Sequence, residues 1–148
     1  MSVLVEPENE TLYVFGNLQC RFEVREVGQA DRSDVLLRVR NEGGRKLNCF
    51  DYEKLVLPLS MRVWQDGDRL EPFGLDGSKK LSDILAEERV PRSIRADVYI
   101  LEDGKRILWV LGSRRSSHAA VTPSTRLILT VEVSQKENSN EKQDVRSC

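Results

Sequence analysis

The chain has 148 residues, enough for one domain with a buried core, or for one domain plus a small appendage. With 23 Lys and Arg against 24 Asp and Glu the formal net charge is −1, so no whole-molecule field draws in nucleic acid. No apolar run approaches the ~18–20 residues of a membrane span, and no basic segment followed by an apolar stretch marks a signal peptide.

Residues 1–10 are polar and are expected to be a flexible N-terminus. A strand is predicted over 12–15, followed by a Gly16-Asn17 turn. Leu18, Cys20, Phe22 and Val24 then alternate with Gln19, Arg21, Glu23 and Arg25, the period of a half-buried strand. Val35, Leu37 and Val39 repeat that pattern, and Gly43-Gly44 marks the next turn. Pro58 sits where the 50–59 segment must bend or lie at an edge. A short strand over 61–64 closes on the turn Asp66-Gly67-Asp68, and Gly74 and Gly77 bracket a tight loop.

Ser78 is the expected N-cap of a helix running to about Arg89, with Leu81, Ile84 and Leu85 on its buried stripe. Pro91 stops that helix and opens a further helical turn through Ile94 and Arg95. The segments 98–101 and 106–111 read as a hairpin around Asp103-Gly104. A final strand, with Leu127, Leu129, Val131 and Val133 on one face, precedes a polar tail over 134–148 that is expected to be disordered. The fold class predicted is α+β: a β-rich, sandwich-like sheet with one main helix.

The residues needed for common chemistries do not assemble in this chain. Its single histidine, His118, lies in a polar Ser-Ser-His-Ala-Ala stretch, where solvent exposure is the expectation. The three cysteines Cys20, Cys49 and Cys148 show no metal-ligand spacing, and an odd count argues against a disulfide framework. Cys20 reads as a small core residue, and a reducing cytoplasm fits. Neither a Gly-x-Ser-x-Gly elbow nor a Walker-type phosphate loop occurs. Asp66 and Asp68 flank a glycine as a turn requires, and Glu87-Glu88 most simply face solvent. No catalytic residue and no metal site are therefore assigned.

The charge distribution is more informative than the total. Residues 1–60 lean acidic. From Gly104 to Val131 no acid occurs, while Lys105, Arg106, Arg114, Arg115 and Arg126 all fall there. Lys79 and Lys80 are expected in the first helical turn, where cations oppose the helix dipole; a phosphate beside free N–H groups would account for them. Arg92 and Arg95, three apart, share a face if their segment is helical. Arg114 and Arg115 follow Gly112 where a strand exits into a loop. Trp64 and Trp109 offer stacking surfaces, although Trp109, within ILWVL, reads as core. Contacts of this kind hold a phosphate backbone without reading its bases.

Several fragments, in order, resemble one family: FDYEKLVLPLSMRVWQDGDRLEPFG, GSKKLSDIL, VPRSIR, ILWVLGSR and TPSTRLILTVEV. Residues 50–133 resemble the C-terminal domain of tRNA(Ile)-lysidine synthetase, and 12–50 resemble the strands that precede it. The resemblance implies one domain over 11–133, of a fold shared with the phenylalanyl-tRNA synthetase β chain. The parent enzyme is, by this resemblance, a ligase that uses ATP and Mg to join lysine to the wobble cytidine of a CAU anticodon. Its SGGxDS-type motif belongs to a catalytic PP-loop domain that does not occur in this sequence, so no cofactor is assigned here.

By position, the resemblance implies tRNA phosphate contacts at Arg69, Lys79, Lys80, Arg92, Arg95 and Arg114, around the acceptor stem. The implied partners are tRNA and the lysidine synthetase catalytic domain, with no membrane. The chain departs from the family pattern after Arg95, with Ala96-Asp97-Val98-Tyr99, and after Arg114, with Arg115-Ser116-Ser117-His118. The competing reading is a protein-interaction module that docks a separately encoded catalytic subunit through a strand edge or the helix, without RNA binding.

Overall fold

The computed structural model describes residues 3–5, 10–15, 17–26, 28, 33 and 45–135. Gly16, the strand expected near 35–39, the Gly43-Gly44 turn and residues 136–148 lie outside these. Two four-stranded antiparallel sheets organise the described residues. The first has the order β1-β5-β8-β9, with β1 at Val3–Val5, β5 at Leu59–Val63, β8 at Tyr99–Glu102 and β9 at Ile107–Val110. The second has the order β2-β3-β10-β4, with β2 at Glu10–Phe15, β3 at Leu18–Glu26, β10 at Leu127–Gln135 and β4 at Leu47–Asp51.

Strand alternation puts one row of each sheet into a shared core. Cys20 and Phe22 of β3, Phe50 of β4 and Leu129, Val131 and Val133 of β10 meet Leu59, Met61, Leu101 and Trp109 of the other sheet. The cysteine expected in the core is there, fully buried, and burial pushes its thiol up to about 12. Trp109 is also fully buried, which removes it from any stacking role.

The opposite face of the first sheet carries the main helix, α1, Leu81–Glu87. Leu101 and Trp109 point into the sandwich, whereas their neighbours Ile100 and Val110 join Leu81, Ile84 and Leu85 in a second cluster. A seven-residue helix is too short to hold itself in water. Burial of its three apolar side chains, worth about 1.5–3 kcal/mol each, holds it to the sheet. Its end is a Schellman turn: Val90 N–H donates to Leu85 O at 2.9 Å and Arg89 N–H to Ala86 O at 3.0 Å. The left-handed position, usually glycine, is Arg89 with φ 57°.

Three expectations change. Val3–Val5, in the span expected to be loose, forms β1 and pairs with Leu59–Met61 of β5. The last strand runs two residues past its expected end, through Ser134 to Gln135. Lys79 and Lys80 do not lie in the helix. They form β7, Lys79–Lys80, antiparallel to β6, Arg69–Leu70. Lys80 is the N-cap residue of α1, in extended conformation and without a side-chain cap bond. Leu81 N–H instead donates to Asp68 O at 3.0 Å, tying the start of α1 to the 66–68 turn. The further helical turn expected after Pro91, α2, spans Arg92–Arg95.

Candidate nucleic-acid interface

The two-residue ribbon β6–β7 sorts the predicted cations by face. Arg69 is the register partner of Lys80, and Leu70 of Lys79. Cross-strand partners share a face, so Arg69 and Lys80 stand together on one side. Both are exposed. The Arg69 guanidinium is oriented by Ser78: Nε donates to the hydroxyl at 2.8 Å and Nη2 to the carbonyl at 3.3 Å. Neither Arg69 nor Lys80 has an ion-pair partner among the described residues. Like charges directly opposite each other destabilise a ribbon, so stability alone does not explain the pair.

The other face carries Leu70, which is buried, and Lys79, which is half-buried. Lys79 reaches Glu87 at the end of α1. Arg114 reaches the same carboxylate at 3.5 Å and Glu88 at 3.4 Å. Ser113 donates its hydroxyl to Glu88 as well. Lys79 first, and Arg114 with it, hold the Glu87 carboxyl below the usual carboxylate range. The acids expected to face solvent are thus the clasp for two of the predicted RNA contacts. The Gly112 turn, φ 80°, positions that clasp: Val110 N–H donates to Arg114 O at 2.8 Å across it.

α2 splits its two arginines. Arg92 is exposed. Arg95 turns back on the chain, with Nε donating to Val90 O at 2.9 Å, while its own carbonyl accepts Trp64 Nε1–H at 2.7 Å. Trp64 is therefore a strut between β5 and α2, not a free stacking surface. The structure brings Arg69 beside Lys80 and Lys79 beside Arg114; it leaves Arg92 alone on α2 and gives Arg95 a structural task.

Arg115, expected with Arg114 at a strand exit, is turned inward, and Phe73 beside it was not singled out by the sequence. Arg115 lies under the loop that joins β6 to β7. Its guanidinium donates to Cys49 O at 2.6 Å, Ser116 O at 2.8 Å and His118 O at 3.0 Å, and stands 4.4 Å from the Phe50 ring centroid. Burial pulls it down to about 10, which leaves it charged at neutral pH. Phe73, in the loop itself, has 61% of its surface exposed. His118 is half-buried rather than in open solvent, with Nε2 2.9 Å from a Glu71 carboxylate oxygen. Arg69, Ser78, Lys105, Arg106 and His118 all line a polar cleft of about 500 Å³ beside the ribbon.

Deeper in the same region Arg62 holds Asp68 by two hydrogen bonds of 3.0 Å and Glu102 by one of 2.7 Å. This triad fixes the 66–68 turn, and through it the ribbon and the start of α1. Partial burial pushes the Asp68 carboxyl up; Arg62 and the Gln65 N–H together outweigh that and leave it below its ordinary value.

Residues 59–132 match the model of the TilS substrate C-terminal domain family. The chain belongs to this family. The matched stretch begins at β5 and ends within β10, so it contains the ribbon, both helices and the Gly112 turn. Among curated proteins, the tRNA(Ile)-lysidine synthase of Parabacteroides distasonis is 36% identical over 90 residues, which is 61% of this chain and 20% of that protein. That of Geobacter sulfurreducens is 38% identical over 84 residues, 57% of this chain and 18% of that protein. The chain thus spans about a fifth of the length of these relatives.

A solved TilS C-terminal domain superposes with a TM-score of 0.75 at 25% identity, covering 93% of this chain and all of the other. An N-terminal fragment of the phenylalanyl-tRNA synthetase β-subunit from Pyrococcus horikoshii shares the fold, with a TM-score of 0.62 at 16% identity over 80% of this chain and 39% of that one. The family, the β-rich α+β class and the likeness to the synthetase β chain all agree with the sequence reading.

Proposed function

We propose that this chain is a tRNA-gripping accessory domain of a tRNA(Ile)-lysidine synthase. It positions tRNA for a catalytic domain carried elsewhere and performs no bond-making step itself. The observation that carries this reading is the Arg69–Lys80 pair: two exposed cations held side by side, one of them oriented by Ser78, at a small cost in ribbon stability. A polyanion removes that cost, because phosphate oxygens accept from both side chains. Arg92 adds a further exposed cation, and Arg114 and Lys79 join when phosphate competes with Glu87 for them. Contacts to phosphates hold RNA by its shape, so folded tRNA, with an acceptor stem that presents two backbones, suits the face better than a fixed base sequence.

One observation favours a second reading. Leu12 and Val14 are exposed on the outer face of the edge strand β2, where a separately encoded catalytic subunit would find an apolar stripe. Titrating the purified chain with tRNA(Ile) bearing a CAU anticodon, with another tRNA and with duplex RNA, at two salt concentrations, separates the two. Salt-sensitive binding that favours folded tRNA supports the RNA reading. Absence of binding even at low salt rejects it and leaves the docking module.

A further inference from the structure

We propose that Phe73 is a stacking platform for an unpaired nucleotide of the RNA held by this face; the inference rests on the RNA reading above. Phe73 lies in the loop between β6 and β7, so the Arg69–Lys80 and Leu70–Lys79 pairs close the loop that displays it. Leu75 N–H donates to Pro72 O at 3.2 Å and Gly74 has φ 83°, which makes Phe73 the first corner residue of a type II turn. Its N–H donates to Arg115 O at 3.1 Å, pinning the corner to the 115–117 segment. The Arg115 guanidinium stands 5.7 Å from the ring centroid, and three backbone carbonyls hold that guanidinium in place.

The turn that carries the ring is therefore pinned to its neighbour, the ring has a cation behind it, and the residue is 61% exposed. Leu75, two positions on, is exposed over 58%. A single exposed apolar residue asks for no explanation, but two on one pinned turn beside a cationic ribbon do. A ligand that satisfies both features is apolar on one face and anionic along its backbone, as an unpaired nucleotide is. Bases inside a duplex have no free face to offer, so the ring selects single-stranded or bulged nucleotides.

The test uses the purified full chain, its Phe73→Ala and Phe73→Trp variants, and an RNA hairpin with and without a short single-stranded overhang carrying a fluorescent base analogue. Wild type is expected to prefer the overhang, with quenching of the analogue. Phe73→Ala is expected to lose roughly tenfold on the overhang RNA alone, with the salt slope unchanged. Phe73→Trp is expected to keep both preference and quenching. A wild type that binds neither RNA at low salt overturns the RNA reading and this inference together. Wild-type binding that Phe73→Ala leaves intact, or weakens equally on both RNAs, overturns this inference alone.

Discussion

Lys79 and Arg114 converge on one carboxylate: Glu87 forms an ion pair with each, at 3.5 Å from Arg114. Neighbouring Lys80 stands on the other face of the same ribbon, opposite Arg69 and, among the described residues, without an ion-paired acid. Two adjacent lysines are thus in different electrostatic states. One has its charge compensated within the domain, and the other holds its charge available.

Their substitution should separate accordingly. Lys80→Ala is expected to lower the slope of log affinity against log salt by about one unit on any RNA. It should leave stability unchanged or higher by a few tenths of a kcal/mol, since it relieves the pair with Arg69. Lys79→Ala is expected to change the slope less. Binding isotherms at several salt concentrations and thermal unfolding check both; equal slopes for the two variants would mean that Glu87 does not hold Lys79 back.

Glu87→Gln is the complementary change. It releases Lys79 and leaves Arg114 only Glu88, so RNA affinity should rise and the salt dependence should steepen. The side chain is exposed, so folding should be little affected. A fluorescence titration beside the parent chain reads this directly. Weaker binding would show that Glu87 positions the two cations instead of restraining them.

The Arg62–Asp68 pair makes a pH-dependent contribution. The folded-state value of Asp68 lies below its ordinary one, so the pair stabilises the fold above the unfolded-state value and loses that contribution as pH falls through the folded one. Asp68→Asn should cost about 1–2 kcal/mol near neutral pH, because Arg62 keeps Glu102. The gap from the parent should close in acid below the ordinary Asp range. Urea unfolding across pH measures it, and a gap that stays constant would remove Asp68 from the acid response.

Arg89 occupies a left-handed position that glycine adopts freely. Arg89→Gly should therefore stabilise the domain by about 0.5–1 kcal/mol, the left-handed cost less the added freedom of the unfolded chain. Thermal unfolding checks this. A destabilised variant would mean that the Arg89 side chain contributes contacts worth more than the backbone strain.

The sequence made the long strands legible and the short ribbon illegible, for one physical reason. β3 and β10 run nine residues each with one face buried, so alternation survives in Cys20, Phe22, Leu129 and Val131. Two-residue strands have no period, and GSKK before an apolar helical stripe reads as a helix start. β1 was missed because Val3–Val5 is a strand only by virtue of β5, over fifty residues away in sequence. The cations themselves were visible as Lys79, Lys80, Arg69 and Arg114. Their pairing was not, because Glu87 and Glu88 meet Arg114 only after the Gly112 turn has brought it back to α1. Phe73 carried no signal beyond standing just before the Gly74–Gly77 loop, because its presentation depends on Arg115, over forty residues away, lying beneath it.

The most direct test of the RNA-gripping claim is an NMR titration of the isotopically labelled chain with folded tRNA(Ile), following the backbone amides. Shifts concentrated at Arg69, Ser78, Lys80 and the 71–77 loop, and reversed by added salt, are the predicted result. Shifts confined to β2 around Leu12 and Val14, or none at low salt, would contradict it.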